Sequence, residues 1–401
     1  MDPSKTSPSS GITSVAMLGT LPPLRGLSSY CLELALAMAN RAQVEFISFK
    51  KLYPEFLYPG GRLKEDHSFP DVNHERLKIS RNLTWYNPLT WVREALFTGA
   101  DLLHAQWWSL PLVLIYACLC AVFKMRGKPV VFTVHNVLDH GHSPLFKAAS
   151  RWLFKLGDHF IVHTEEGRRQ MRTHYAIPAD RISVISHGSL DFHVKQQVNR
   201  ADIRQELNID PRHKVVLLFG AIRPYKGIET AIEAFSQVLL EVPDSLLIIA
   251  GKLWQGWDPY QQLIDKHGIA KEVRTFLNYI PANDVFRYFE AADLVILPYL
   301  QFSSQSGVGG TAVSFRKPLI VTAVGGLPDL VKNNEYIVPP GNPDLLARKM
   351  IDCLSDPTRL AAMAADAQRV AADISWPVIA QKTLALYERM LKRQEKHAKL
   401  S

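Results

Sequence analysis

Short apolar runs rich in β-branched residues alternate along this chain with amphipathic stretches of helix length, the pattern of parallel βαβ units. In the first half the runs that predict strands are Ser14–Leu18, Val44–Phe49, Leu102–His104, Val130–Val134, His159–His163 and Ile182–Ile185. Helices fall between them. Ser28–Ala39 places Leu32, Ala35, Leu36 and Ala39 on one face, and Leu145–Leu156 does the same with Phe146, Ala149, Leu153 and Leu156. Residues 51–90 break the rhythm: Pro54, Pro59, Gly60, Gly61, Pro70 and Pro88 amid aromatic side chains predict a long irregular excursion, of the kind that carries binding rather than packing. From Asp191 to Lys214 the chain turns polar and charged. A second series then opens at Val215–Phe219 and continues through Leu246–Ala250, Val273–Phe276, Leu294–Leu297, Leu319–Val321 and Tyr336–Val338. The fold expected is α/β: a flexible start over 1–13, a Rossmann-like lobe over 14–195, a linker over 196–214, a second Rossmann-like lobe over 215–376 and a terminal helix over 377–401. In a two-lobed protein that last helix can pack across both lobes.

The 401 residues are too many for one ordinary core and too apolar, at 47%, for a disordered chain. The net charge of +8 calls for an anionic partner. Its distribution narrows the choice: residues 1–200 carry 23 Lys and Arg against 16 Asp and Glu, whereas residues 201–401 carry 23 against 22. Four scattered cysteines make neither a disulfide framework nor a zinc knuckle and fit a reducing compartment. The polar stretch Met1–Thr13 and the short apolar run Val15–Leu18, far shorter than a signal-peptide core, predict no secretion. The longest apolar run, Trp107–Phe123, holds Ser109 and Pro111 and reads as a buried helix rather than a bilayer span. The location expected is cytoplasmic, with peripheral contact at the inner face of the membrane.

The strongest local motif is Leu218–Gly227, a strand ending in Gly220, a loop bearing Arg223 and Lys226, and a helix starting at Ile228. A helix start offers unpaired N–H groups and partial positive charge, so two cations beside it make a diphosphate clamp. Its place after a strand's carboxyl end is where open α/β sheets bind ligands. A second glycine-rich loop, Gln305-Ser306-Gly307-Val308-Gly309-Gly310, precedes another helical stretch, and its glycines let backbone amides approach phosphate oxygens. In the first lobe Gly26 stands just before a helix in a strand–loop–helix transition, and His135 ends the apolar strand Val130–Val134. His140, His142 and Asp139 lie near it at spacings unlike a metal site, so neither a metal nor a cofactor is expected.

In their order and spacing these pieces resemble the GT-B glycosyltransferases, specifically the retaining, nucleotide-sugar-dependent family-4 group. The pieces that carry the resemblance are Gly19–Tyr30, Thr133–Asn136, Val184–Gly188, Arg223–Gly227, Ala292–Tyr299, Gln305–Val308 and Val324–Asp329, spread from about Ser14 to Leu391. It implies two Rossmann-like lobes with a cleft between them, the first on the acceptor side and the second holding the donor. By position, Arg223 and Lys226 match the basic pair that neutralises the donor diphosphate. Gly26 matches the glycine loop facing it, with Arg25 in place of the first of the family's two glycines, and His135 matches the histidine that contacts the transferred sugar. Ser306, Gly307 and Val308 match the loop whose amides meet the donor, and Asn278, Tyr279 and Ile280 match the backbone that binds the base. Where the family commonly has two glutamates eight positions apart, this chain has Ser303 and Thr311. The Thr311 hydroxyl can still bond a ribose hydroxyl, and Gln301 or Gln305 can reach the sugar.

The resemblance implies transfer of a sugar from a UDP- or GDP-sugar to a glycan or lipid-linked acceptor, in polysaccharide or glycolipid synthesis. The leaving diphosphate departs on the face where the acceptor enters, so the enzyme's main task is to stabilise charge on that diphosphate. Two readings on the same fold stay open: a non-catalytic partner subunit, and a nucleotide-sugar epimerase or phosphorylase. The basic residues of the first lobe, interleaved with Trp85, Tyr86, Trp91, Trp107 and Trp108, fit docking on an anionic membrane or a lipid-diphosphate acceptor. They are not arranged for nucleic acid.

Overall fold

Runs of two to nine residues, most of them apolar, become the strands of two wholly parallel sheets in the computed structural model, which describes residues 14–24, 27–52, 54, 65, 67, 72–138, 143–189 and 199–400. The chain divides into two units, Met1–Gly188 with Trp376–Ser401, and Ser189–Ser375.

The first unit holds β1 (Ser14–Leu18), β2 (Gln43–Lys51), β3 (Leu77–Thr84), β4 (Leu102–Trp107), β5 (Val130–Val134), β6 (His159–Val162) and β7 (Ile182–Val184) in the order β3-β2-β1-β4-β5-β6-β7. The order reverses between β1 and β4, which pair from Val15↔Leu102 to Leu18↔Ala105. At such a switch point the loops on either side part and leave a crevice at the carboxyl ends of the strands. Helices α1 (Ser28–Ala39), α2 (Pro88–Phe97), α3 (Val113–Met125), α4 (Pro144–Leu153) and α5 (Glu165–Tyr175) cover the sheet. Both faces are buried, so β1, β4 and β5 read as continuous apolar runs rather than alternating ones. Of the stretch 51–90, Pro59, Gly60, Gly61 and Pro70 lie outside the described residues, and its later part departs from the irregular excursion expected there. Leu77–Thr84 is an edge strand that exposes Lys78, Arg81 and Asn82 and buries Leu83 and Thr84, and Asn87 caps α2 by accepting from the Leu89 N–H at 3.1 Å.

The second unit repeats the plan with β8 (Lys214–Phe219), β9 (Ser245–Ala250), β10 (Val273–Phe276), β11 (Leu294–Leu297), β12 (Leu319–Thr322) and β13 (Ile337–Val338), in the order β10-β9-β8-β11-β12-β13. Its switch point lies between β8 and β11. Helices α6 (Arg200–Glu206), α7 (Ile228–Glu241), α8 (Asp258–Lys266), α9 (Val285–Ala291), α10 (Gly307–Ser314), α11 (Pro343–Leu354) and α12 (Pro357–Asp373) complete it. The stretch read as a linker, 196–214, contains α6. Arg204 of that helix ties to Asp293 at 2.7 Å and to the Ala291 carbonyl, and Asp293 also accepts from the Val215 N–H at the start of β8. The terminal helix α13 (Trp376–Leu400) packs within the first unit, where Ile379, Ala380, Leu384 and Tyr387 join Leu32, Ala35 and Met38 of α1 in one core cluster. Among the described residues no helix is long and apolar enough to cross a membrane. Trp107 ends β4, and the apolar run after it becomes α3.

Candidate functional site

In the second unit the loops after β8 and β11 meet because the sheet order makes their strands neighbours. After Phe219 the chain turns at Gly220, passes Arg223, and makes a single 3-10 turn over Pro224–Lys226 into Gly227. Gly227 adopts φ 67°, and a Cβ there would lie 1.9 Å from the Pro298 carbonyl oxygen, so glycine alone fits at the start of α7. The Leu300 N–H donates to the Tyr225 carbonyl at 2.8 Å and fastens the second loop to the first.

Lys226 is buried. Its ammonium donates to the Tyr299 hydroxyl and lies 4.0 Å from the centre of that ring. Burial pushes its pKa down to about 7, and the like charge of Arg223 acts in the same direction. The Tyr299 hydroxyl in turn lies 3.2 Å from Ser306 Oγ, and Ser306 caps α10 by accepting from the Gly309 N–H at 3.2 Å. Val308 packs over Gly220, where a Cβ would come within 2.8 Å of its methyl. The Arg223 guanidinium lies 3.9 Å from the Trp254 ring centre, in the loop after β9.

Arg223, Lys226, Ser306, Gly307 and Val308 are thus brought together at the switch point, beside the starts of α7 and α10. Gln305 is buried next to them, whereas Gln301 is exposed. The Thr311 hydroxyl donates to the Gly307 carbonyl at 3.0 Å inside α10, so its proton is spent within the helix and it faces any ligand as an acceptor. Asn278 and Tyr279 are exposed and Ile280 half-buried just past β10, two strands from β8 in the sheet, with the Lys252–Trp254 segment between. Trp254 and Lys252 escaped the reading of the sequence, and Tyr299 stood in the matching piece Ala292–Tyr299 without a role. Tyr299 carried a signal, since it follows Leu297-Pro298 at a strand's carboxyl end.

In the first unit four adjacent strands bring polar side chains to their carboxyl ends: Gln106 in β4, and His135, His163 and His187 beyond β5, β6 and β7. His135 is buried. Its Nε2 lies 2.9 Å from Gln106 Oε1 and its Nδ1 3.3 Å from His163 Nε2, while His163 Nδ1 donates to the Ile185 carbonyl at 2.9 Å. The Tyr30 ring meets His135 edge-on at 4.7 Å. Burial holds His135 well below the ordinary histidine range and lowers His163 to about 3, so both rings are neutral at physiological pH. The ring expected to contact a sugar is therefore neutral and donates through Nε2 to Gln106 Oε1 within its own unit. Gly26, the other residue expected in the first lobe, lies outside the described residues, as do Asp139, His140 and His142. Among the described residues no group of three His, Cys, Asp or Glu is placed to hold a metal ion, and the four cysteines are free.

Comparison with known proteins adds family to geometry. Residues 24–189 match the family described as Glycosyltransferase Family 4, and residues 199–370 match Glycosyl transferases group 1. The chain is 30% identical over 282 residues to a D-inositol 3-phosphate glycosyltransferase of Rhodococcus jostii (strain RHA1), covering 65% of this chain and 61% of the relative. The alignments with this relative and with that of Rhodococcus opacus (strain B4) span 61% and 62% of the relatives' own length. The D-inositol 3-phosphate glycosyltransferase of Thermobispora bispora is 25% identical over 399 residues, 92% of this chain and 90% of the relative. In fold, the chain is similar to Anabaena Alr3699/HepE in complex with UDP and glucose, with a TM-score of 0.69 at 19% identity over 94% of this chain and all of that one.

Proposed function

The chain belongs to the GT-B, family-4-like glycosyltransferases, and on that premise we propose that it moves a sugar from a UDP- or GDP-sugar to a glycan or lipid-linked acceptor, retaining the anomeric configuration. One observation carries the reading: Arg223 and Lys226 stand together at the switch point of the second sheet, and among the described residues neither forms a salt bridge with a carboxylate. Two cations left unneutralised beside two helix starts suit a diphosphate.

Cleavage of the sugar–phosphate bond places negative charge on the leaving diphosphate. Arg223, Lys226 and the first N–H groups of α7 would stabilise that charge as it develops. The acceptor hydroxyl enters on the same face and gives its proton to the departing phosphate oxygen, so retention follows without a protein nucleophile. The Asn278–Ile280 backbone is assigned the base, and Ser306, Gly307 and Val308 the donor's phosphate and sugar. Thr311 is assigned a ribose hydroxyl as acceptor. His135 is assigned a contact with the transferred sugar made as a neutral ring.

A non-catalytic partner subunit is the second reading, favoured by Ser303 and Thr311 standing where the family commonly has glutamates. Turnover separates the two. The test is a screen of UDP- and GDP-sugars against glycan, lipid-linked and inositol-phosphate acceptors, the last taken from the relatives' name. Lys226→Ala is expected to lower turnover ~100-fold or more, the scale for removing one preorganised charge-stabilising group. A variant with near-normal turnover would remove Lys226 from this role, and donor binding without transfer across the panel would favour the partner subunit.

Contact with an anionic membrane is part of the proposal, supported by the first unit's surface. Leu89, Arg93, Leu96 and Phe97 share the exposed face of α2, and Trp85 and Tyr86 are exposed just before it. Other parts of the expected basic and aromatic surface are spent elsewhere: Trp91 and Trp107 lie in the core, Arg126 donates to the Ala95 and Thr98 carbonyls at the end of α2, and Lys124 pairs with Asp158 at 2.6 Å.

A further inference from the structure

We propose that Trp254 and Tyr299 are positioning residues that seat the two clamp cations on their rings, holding each in place without a counter-charge. The proposal rests on the reading of Arg223 and Lys226 as a diphosphate clamp.

Elsewhere in the second unit cations are anchored by acids: Arg200 and Arg204 on Asp293, Arg287 on Glu206, Lys317 on Glu290, and Lys349 and Arg359 on Glu335. A carboxylate fixes a cation well, but it cancels the charge that an anionic ligand needs and repels the ligand as it arrives. An aromatic face attracts a cation through its quadrupole and carries no net charge. The guanidinium of Arg223 lies 3.9 Å from the Trp254 ring centre, and its Nε is buried with no hydrogen-bond partner. The ring is therefore the contact found holding this side chain.

The seat is itself anchored. The Trp254 N–H donates to the Ile222 carbonyl at 3.3 Å, and the Ile222 N–H donates to the Lys252 carbonyl at 2.9 Å. The loop after β9 is thus laced to the residue just before Arg223. Tyr299 does the same for Lys226 and carries the link onward through Ser306 to the start of α10. The Lys252 ammonium lies 5.4 Å from the Trp254 ring centre, which adds a further positive charge beside the same seat. Fixing a long side chain before the ligand arrives removes part of the ordering cost of binding.

Tyr299 is in the core, so the test falls on Trp254, which is half-buried. The full chain and the variants Trp254→Phe, Trp254→Leu, Arg223→Ala and Arg223→Ala with Trp254→Leu are titrated calorimetrically with UDP and with GDP, and their thermal unfolding is recorded. Trp254→Leu is expected to weaken binding on the order of tenfold, the range of a partly desolvated cation–π contact. Trp254→Phe, which keeps a ring face, recovers most of that loss, and unfolding temperatures stay unchanged. In the Arg223→Ala background the leucine adds nothing, because the seat acts only through its arginine. Wild-type affinity in Trp254→Leu, no recovery by phenylalanine, or a full additive loss in the double variant would overturn the seat while leaving the clamp standing. A parent chain that binds neither UDP nor GDP overturns the clamp reading itself.

Discussion

Lys226 joins a local sequence signal to a property that only burial creates. Its pKa of about 7 in the ligand-free chain means that it sheds its proton above neutrality, against a solution value of 10.5. A bound diphosphate favours the ammonium, so binding above pH 7 takes up a proton, and nucleoside-diphosphate affinity falls as pH rises from 7 toward 9, by at most about tenfold per pH unit. Calorimetry at pH 8 in buffers of different ionisation enthalpy reads that uptake directly, and Lys226→Met is expected to abolish it. No uptake in the parent chain would mean that the ammonium does not face the anion. The pair Arg223 and Lys226 was legible because strand, loop cations and helix start are contiguous. Tyr299 lies 73 residues beyond Lys226, and Trp254 sits on a different loop from Arg223. Sheet order brings these rings under the cations, and no local pattern carries that information. The polar surroundings of His135 were hidden for the same reason, since Gln106 and His163 reach it from neighbouring strands.

At the scale of elements, strands buried on both faces were the easiest to read. Ser14–Leu18, Val130–Val134 and Leu294–Leu297 coincide with β1, β5 and β11, because apolar runs of that length fit little else between helices. The strand β3 was lost, since as an edge it shows Lys78, Arg81 and Asn82 to solvent and its neighbourhood is dense in proline and glycine. Helix α2 was lost with it. Its inner face buries Trp91 and Ala95, while Leu89, Leu96 and Phe97 remain exposed, Phe97 by 80%. Arg93 lies among them, and residues 1–200 carry a charge of +7, so an anionic bilayer offers that face both a hydrophobic and an electrostatic partner. Co-sedimentation is expected with vesicles containing anionic lipid and not with neutral ones, weakened several-fold by the pair Leu89→Ser and Phe97→Ser. Equal recovery with both vesicle types, or an unchanged double variant, would count against α2 as the docking element.

At the scale of the molecule the two units share a plan but differ in what they bury. The first unit encloses His104, His135, His159 and His163, whereas the described histidines of the second, His213 and His267, are not buried. Burial lowers His104 and His163 to about 3 and His159 to about 4, and holds His135 well below its ordinary value. The unfolded chain takes up protons at these sites near pH 6.5, while the folded unit does not. Stability is therefore complete above that pH and is lost as pH falls toward the folded values, by about 2 kcal/mol for each of His104, His159 and His163 at pH 5. The loss reaches the chain's end, because Tyr387 of α13 lies 2.6 Å from His104 Nδ1, and that helix closes one face of the first unit's core. Calorimetric unfolding at pH 7 and pH 5 is expected to resolve a transition that moves down steeply with acid, the first unit with α13, from one that moves little. His104→Asn identifies it, because removing one titrating site makes that transition less sensitive to acid and leaves the other where it was. Two transitions shifting together would show that the units unfold as one, and an acid-insensitive first transition would mean that these histidines are protonated in the folded chain.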